Sequence, residues 1–243
     1  MTTLASHVLV VFLDTRDAAP TDVAAALDHV SKQGCSGFLT LSDDSINAST
    51  HRALYELLAV NENSPFAFLK MPSTFFSTSK QAIDLVRDRG ITDAELLAVG
   101  DASSAAETRL RSLLQENKRF VFVHLTEFLS TQSWLGDVLR DATRDDCFVT
   151  VVRHAERPHV DVVSHPLRPR QSFERHNGAY PARSSSPSRL FFSSFHSDRT
   201  RCDAVASFQE HDMEQHGAYG TMDARILIKE LAFRLGFAPK YGA

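Results

Sequence analysis

The sequence of 243 residues has few cysteines, a single tryptophan and no apolar run of membrane-spanning length. Its three cysteines, Cys35, Cys147 and Cys202, are odd in number and far apart, which argues against a disulfide framework and predicts a reducing compartment. No pair of them has the spacing of metal ligands. The N-terminus has no basic region ahead of its first apolar run, as a signal peptide would. These absences predict a soluble, cytoplasmic protein.

The sequence also has little net charge. Its 26 basic and 30 acidic residues give a formal charge of −4, which supplies no long-range attraction to nucleic acid or to an anionic membrane. We therefore expect neither as a partner. A hydrophobic fraction of 43% with 23% charged residues is ordinary for a globular protein, and the length suffices for one large domain or two small ones.

Apolar runs typical of buried strands alternate with amphipathic segments typical of helices. The predicted strands are His7–Leu13, Gly37–Leu41, Phe66–Lys70, Glu95–Val99, Phe120–Leu125, Cys147–Arg153 and Arg189–Phe195. The predicted helices are Thr21–Lys32, Ser49–Val60, Ser77–Arg89, Ser103–Gln115, Gln132–Ala142 and Met222–Leu235. This alternation predicts an α/β fold with three αβα layers and a mostly parallel sheet. It also favours a single domain over residues 1–243.

The alternation is interrupted at about residues 155–187, a stretch rich in arginine, proline, histidine and serine. So long a stretch without clear elements predicts a functional excursion or a partner-binding arm, although a solvated loop is the plainer interpretation of its basic residues. Extended segments can wrap around a partner. The residues predicted to contact other proteins come from this excursion and from the C-terminal tail: Arg168, Arg170, Gln171, Phe173, Lys240 and Tyr241.

Several short segments follow one another in the order found in a known family. They include Val8–Asp14, Asn47–His51, Phe120–His124, Cys147–Pro158 and Ser164–Pro169. In this order the chain resembles the archaeal-type cofactor-independent phosphoglycerate mutases of the alkaline-phosphatase superfamily. The resemblance is a colinear series of short matches that covers nearly the whole chain, and it implies an alkaline-phosphatase-like core.

The resemblance also implies a catalytic apparatus, most of which this sequence lacks. Enzymes of the family use two divalent metals, which activate a serine nucleophile and clamp the transferred phosphoryl group. At the matching positions, Asp14, His165 and His154 remain as vestigial metal ligands, whereas Asn47 stands where the family has the nucleophilic serine. Ser45 and Ser49 lie close to that position and could replace it only after a shift in register.

A second loss concerns the inserted domain that holds phosphoglycerate in the family. Only the turn Asn61–Pro65 is present at the corresponding place. We therefore expect no catalytic residues, no metal and no other cofactor. The leading hypothesis is a non-catalytic, phosphoglycerate-mutase-like module that serves as a structural or adaptor subunit of a cytoplasmic protein assembly.

Two alternatives remain open. One is a reduced metal-dependent phosphohydrolase or phosphomutase, in which Asp14, His154 and His165 surround one manganese or zinc ion and Ser45 or Ser49 is the nucleophile. The other is a sensor that binds a phosphometabolite at the carboxyl ends of the strands without turnover. Three further histidines have simpler interpretations: His51 is predicted as a core or helix-capping residue, and His211 and His216 as part of a solvated turn.

Overall fold

The structure, a computed structural model, describes residues 5–41, 51–60, 65–68, 70–97, 102–128, 134–143, 146–156, 189–197 and 201–239. The predicted residues outside these ranges are Ser45, Ser49, His165, Arg168, Arg170, Gln171, Phe173, Lys240 and Tyr241. Most of the predicted excursion at 155–187 also lies outside them. No helix within the described ranges is both long enough and apolar enough to cross a membrane.

The described residues form eight strands and seven helices. The strands are β1 (His7–Leu13), β2 (Cys35–Thr40), β3 (Ser73–Ser77), β4 (Ala94–Leu96), β5 (Arg119–Leu125), β6 (Cys147–His154), β7 (Arg189–Phe195) and β8 (Gly220–Asp223). The helices are α1 (Thr21–Gln33), α2 (Arg52–Leu57), α3 (Lys80–Asp88), α4 (Ala102–Leu113), α5 (Trp134–Ala142), α6 (Glu210–His216) and α7 (Ala224–Arg234).

All eight strands belong to one sheet, in the order β4-β3-β5-β1-β6-β7-β2-β8. Each neighbouring pair is parallel except the two pairs that include β7, which is antiparallel to both β6 and β2. The carboxyl ends of β3, β5, β1 and β6 therefore lie side by side at one edge. The α/β fold and the mostly parallel sheet predicted from the sequence are confirmed.

The core consists of two hydrophobic clusters that use alternate residues of the central strands. In β1, Val8, Val10 and Phe12 belong to one cluster, with residues of α2, α3 and α7. Leu9, Val11 and Leu13 belong to the other, with residues of α1, α4, α5 and α6. Successive side chains of a strand point to opposite faces, so the continuous apolar sequence of β1 reflects a strand that is covered on both sides.

The prediction of a strand at Phe66–Lys70 is wrong. The described residues of that stretch are not in a strand, and the chain enters the sheet later, at Ser73–Ser77, whose first and last residues are serines. The sequence pattern does not indicate a strand here because polar residues flank Phe75 and Phe76. Two of these polar residues, Thr74 and Ser77, are nevertheless buried. The helix predicted from Ser77 begins instead at Lys80, with Ser79 as its N-cap.

The segment containing His211 and His216 is a helix, α6, rather than a solvated turn. It has one buried residue, Met213, so it lacks the repeating apolar positions that identify a helix from sequence. Contacts outside the helix hold it instead. Arg189, which is 2% exposed in its side chain, forms ion pairs with Glu210 and Glu214 on one side of α6.

Candidate functional site

Four polar side chains meet at the carboxyl edge of the sheet, on the face covered by α2, α3 and α7. The strand register explains the meeting. Phe12 lies beside His124 of β5 and Val152 of β6, and His124 lies beside Ser77 of β3. Asp14 and His154 each stand two residues beyond Phe12 and Val152, on the same face because strand side chains repeat with a period of two.

Asp14 lies at the centre of this group and uses both carboxylate oxygens. Its Oδ2 is 3.0 Å from Nε2 of His124, and its Oδ1 is 2.7 Å from Nε2 of His154. Its backbone N–H donates to the carbonyl of Leu125 over 2.7 Å, which fixes the carboxylate between β1 and β5. Each oxygen of Asp14 is therefore engaged by an imidazole.

His124 connects Asp14 to a buried hydroxyl. Its Nδ1 is 2.8 Å from Oγ of Ser77, and the backbone N–H of Ser79 donates to the same Oγ over 2.9 Å. The result is a continuous hydrogen-bonded chain from the start of α3 through Ser77, His124 and Asp14 to His154. We call the side chains of Ser77, His124, Asp14 and His154 together the His-Asp-His chain.

Aromatic rings surround the inner part of the His-Asp-His chain. Phe12 stacks on His124 with ring centroids 5.4 Å apart, and Phe75 lies against the same imidazole at 6.1 Å. His51, immediately before α2, approaches it edge-on at 6.4 Å. His51 is predicted from the sequence as a core or helix-capping residue. The structure places it at the start of α2, with its ring against the buried His124.

The His-Asp-His chain is accessible at one end only. The side chain of His124 is fully buried, that of Asp14 is 16% exposed and that of His154 is 33% exposed. Ser77 is fully buried as well. A molecule arriving from solvent would therefore meet His154 first, and Ser77 is inaccessible as a nucleophile.

Burial by itself would raise the pKa of the Asp14 carboxyl, because it disfavours the charged form. The hydrogen bonds from His124 and His154, together with the electrostatic attraction of these two imidazoles, outweigh burial, and the pKa is lowered from its usual 3.8 to about 2. Asp14 is therefore ionised throughout the physiological pH range, and hydrogen bonds from the two imidazoles stabilise its negative charge.

These donors do not fit a pair of divalent cations in this arrangement. Metal ligands direct their lone pairs at a common ion, whereas the nitrogens of His124 and His154 are directed at the oxygens of Asp14. Within the described ranges, no three histidine, cysteine, aspartate or glutamate side chains are placed to hold a metal ion. A third predicted ligand, His165, lies outside those ranges.

Two of the predicted site residues, Asp14 and His154, are thus neighbours in the structure. The sequence does not predict the other two, His124 and Ser77. For His124 it predicts only a strand, although His124 is the single polar residue inside the apolar run of β5, a signal that can identify such a residue. Ser77 escapes prediction because the pattern indicates a helix that begins at this residue.

No protein-family model matches the sequence, and neither does any curated protein. Solved structures do. The PH0037 protein from Pyrococcus horikoshii is 10% identical, and the match covers 100% of both chains with a TM-score of 0.58. The likeness is one of fold. At this identity it shows a shared architecture and says nothing about activity.

Two further solved structures match with a TM-score of 0.44 each. One is the cofactor-independent phosphoglycerate mutase from Thermoplasma acidophilum DSM 1728, which is 12% identical over 73% of this chain and 40% of that chain. The other is Ps i-CgsB in complex with k-i-k-neocarrahexaose, which is 9% identical over 97% of this chain and 73% of that one.

Proposed function

We propose that this chain is a non-catalytic, phosphoglycerate-mutase-like module that acts as a structural or adaptor subunit of a cytoplasmic protein assembly. In this proposal the fold is a three-layer αβα domain with an alkaline-phosphatase-like core. The observation that carries the proposal is the engagement of both oxygens of Asp14 by His124 and His154. Asp14 is the residue that matches the family's first metal ligand.

The sequence supports the same conclusion at the nucleophile. Asn47 stands where the family has its serine, and a carboxamide cannot attack phosphorus as an alkoxide does. The charge of Asp14 in turn is stabilised by hydrogen bonds from imidazoles rather than by cations. In this proposal the fold is retained for the surfaces that it presents, and its former catalytic edge serves as part of the core.

The proposed contact surface for partners consists of Arg168, Arg170, Gln171 and Phe173, together with the tail residues Lys240 and Tyr241. Arginine and aromatic residues are enriched among the side chains that contribute most to protein interfaces. A backbone hydrogen bond joins the residues on either side of the excursion. The Ala155 N–H donates to the Arg189 carbonyl over 3.0 Å, at the two ends of that segment.

Catalysis and metal binding can be tested together on the purified full-length chain. We expect elemental analysis to find no stoichiometric manganese or zinc, and phosphomonoester hydrolysis to equal that of an Asp14→Ala variant. A matched control is Asp17→Ala, which removes an exposed carboxylate three residues away. A bound metal that is present in the wild type and in the control but lost in Asp14→Ala would overturn the non-catalytic assignment.

The adaptor role requires a separate test. Partners captured by the full chain should be lost from a variant that lacks residues 168–187 and 240–243, and should be weakened by the double substitution Arg168→Ala and Arg170→Ala. Arg140→Ala, which removes a half-buried arginine of α5, should leave capture unchanged. If the deletion variant retained every partner, the contact surface would have to be placed elsewhere.

A second candidate function is the reduced metal-dependent phosphohydrolase. The observation in its favour is the 2.7 Å separation of Asp14 Oδ1 and His154 Nε2 at the one accessible end of the His-Asp-His chain. One cation can polarise a phosphoryl oxygen. This candidate predicts the opposite result in the metal analysis, with one ion per chain that depends on Asp14 and His154.

A further inference from the structure

The hydrogen bonds around His124 indicate which of its ring nitrogens carries a proton. This in turn assigns a role to Ser77. We infer that Ser77 is a positioning residue that holds His124 as the neutral Nε2–H tautomer, so that its ring donates to Asp14 and cannot bind a cation. This inference explains how the edge described above is closed to metals. It rests on the proposed non-catalytic function, which requires that edge to hold no metal.

The first part of the argument lies at Ser77. A serine hydroxyl has one proton to donate and can accept hydrogen bonds at its lone pairs. The Ser79 backbone N–H can only donate, so Ser77 Oγ accepts that bond. In the described part of the chain, the remaining partner of this Oγ is Nδ1 of His124, at 2.8 Å. The Ser77 proton, fully buried, therefore has Nδ1 as its acceptor.

The second part lies at the other side of the imidazole ring. Nε2 of His124 is 3.0 Å from a carboxylate oxygen of Asp14. An ionised carboxylate only accepts hydrogen bonds, so Nε2 must carry a proton. The Nδ1–H tautomer would direct a nitrogen lone pair at this oxygen and leave the Ser77 proton without an acceptor. Both neighbours therefore require the same tautomer.

This tautomer is the one that excludes a metal at the site. A histidine binds a metal through an unprotonated nitrogen, and its other nitrogen donates to a carboxylate, a carbonyl or water. In His124 the nitrogen that faces Asp14 is protonated, and the unprotonated nitrogen is directed at Ser77 inside the protein. The imidazole N–H occupies Asp14 Oδ2, where a cation would otherwise bind.

The direct test is nitrogen NMR of the histidine rings in the uniformly labelled full-length protein, with elemental analysis of the same sample. We expect His124 to show an unprotonated Nδ1 and a protonated Nε2. The Ser77→Thr variant, which keeps the hydroxyl, should give the same pattern. A protonated Nδ1 in the metal-free wild type would overturn the inference and leave the proposed function standing.

The same samples separate the other failures. A metal ion bound at Nε2 of His124 would overturn both the inference and the proposed function. A metal ion bound elsewhere, with Nε2 still protonated, would overturn the proposed function and support the inference. The Ser194→Ala variant removes a buried hydroxyl that pairs with Thr150 outside the site, and it should leave the His124 resonances unchanged.

A gain-of-function variant provides a second test. In Ser77→Asp the new carboxylate can only accept, so Nδ1 becomes protonated, and a cation that binds beside Asp14 can then displace the proton on Nε2. Zinc titrated alone should then bind ~10-fold or more tightly than to the wild type, the scale of a partner behind a metal-binding histidine. If Ser77→Asp folds and its zinc affinity equals that of Ser77→Thr, the inference is wrong. If it does not fold, the NMR of the wild type decides.

Discussion

Arg189 and Glu210 form an ion pair, with 2.5 Å between a guanidinium nitrogen and Oε1. Arg189 is almost fully buried, and its guanidinium lies over the Phe38 ring at 4.3 Å from the centroid. The other oxygen of Glu210 accepts the backbone N–H of Glu156 over 2.6 Å. One carboxylate therefore ties α6 to the end of β6 and to the start of β7.

This ion pair should be costly to break. Arg189→Ala removes the guanidinium that pairs with Glu210 and Glu214, and loss of one partner of a buried pair costs about 3–5 kcal/mol. We expect urea denaturation to show a loss of that size in the free energy of unfolding. Arg109→Ala is the matched control, because Arg109 also pairs with two carboxylates but is 41% exposed. It should cost less than about 1 kcal/mol. Equal losses would contradict the structure.

The lowered pKa of Asp14 predicts a pH-dependent contribution to stability. The folded-state pKa of about 2 lies below the usual 3.8, so the ionised carboxylate stabilises the fold above the higher value, and this contribution is lost as the pH falls toward the lower one. The difference corresponds to about 2 kcal/mol. Asp14→Asn should lose this amount at neutral pH, measured by urea denaturation.

The pH dependence provides the check on that prediction. The gap in stability between the wild type and Asp14→Asn should shrink as the pH is lowered below 3.8 toward 2. Asp17→Asn, at an exposed position, should track the wild type throughout. A gap that stayed constant across this range would show that the carboxylate charge of Asp14 is not what stabilises the fold.

The cysteines should differ in reactivity. Burial, followed by the nearby Asp203 carboxylate, raises the pKa of the Cys35 thiol to about 12, and Cys147 is buried. Because the thiolate is the reactive form, iodoacetamide should label Cys202, the exposed cysteine, in the native protein. Mass spectrometry should show one label before unfolding in urea and three afterwards. Rapid native labelling of Cys35 would be inconsistent with its position.

Gly37 should not tolerate a side chain. A Cβ at this position of β2 would lie 2.5 Å from the Gly220 carbonyl oxygen and 2.9 Å from Cβ of Tyr219. Gly37→Ala must push β8 away, and overpacking of this kind costs about 1–3 kcal/mol. We expect faster hydrogen exchange at the β8 amides. Gly90→Ala, where a φ of 96° disfavours a side chain, should destabilise the protein without that change in β8.

The parts predictable from sequence are those in which local composition and burial agree. β1 and β7 have the bounds predicted from the sequence, and both are covered on their two faces. The prediction of β3 was wrong because the buried residue Ser77 is polar. Its hydroxyl forms a hydrogen bond with His124, a long-range partner that no local pattern reveals. Likewise, the ion pairs of α6 with a residue of β7 take the place of the apolar periodicity that a sequence displays.

The candidate site was half predictable for a related reason. Asp14 and His154 follow strand ends, where polar residues of parallel strands are expected to gather. His124 and Ser77 lie within strands, and their pairing depends on the order β3-β5-β1-β6, which requires knowledge of which strands are neighbours. Alternation from Phe122 to His124 would have placed that imidazole on the same face as Asp14, but only once β5 was set beside β1.

The antiparallel strand β7 is inserted between β6 and β2, so within the sheet formed by the described residues β2 and β8 join the other strands through residues 189–195. During synthesis on the ribosome, about three quarters of the chain must be made before β7, the strand that pairs with Cys35–Thr40, is available. A transcript that ended before residue 189 would yield a product whose second strand has no place to dock.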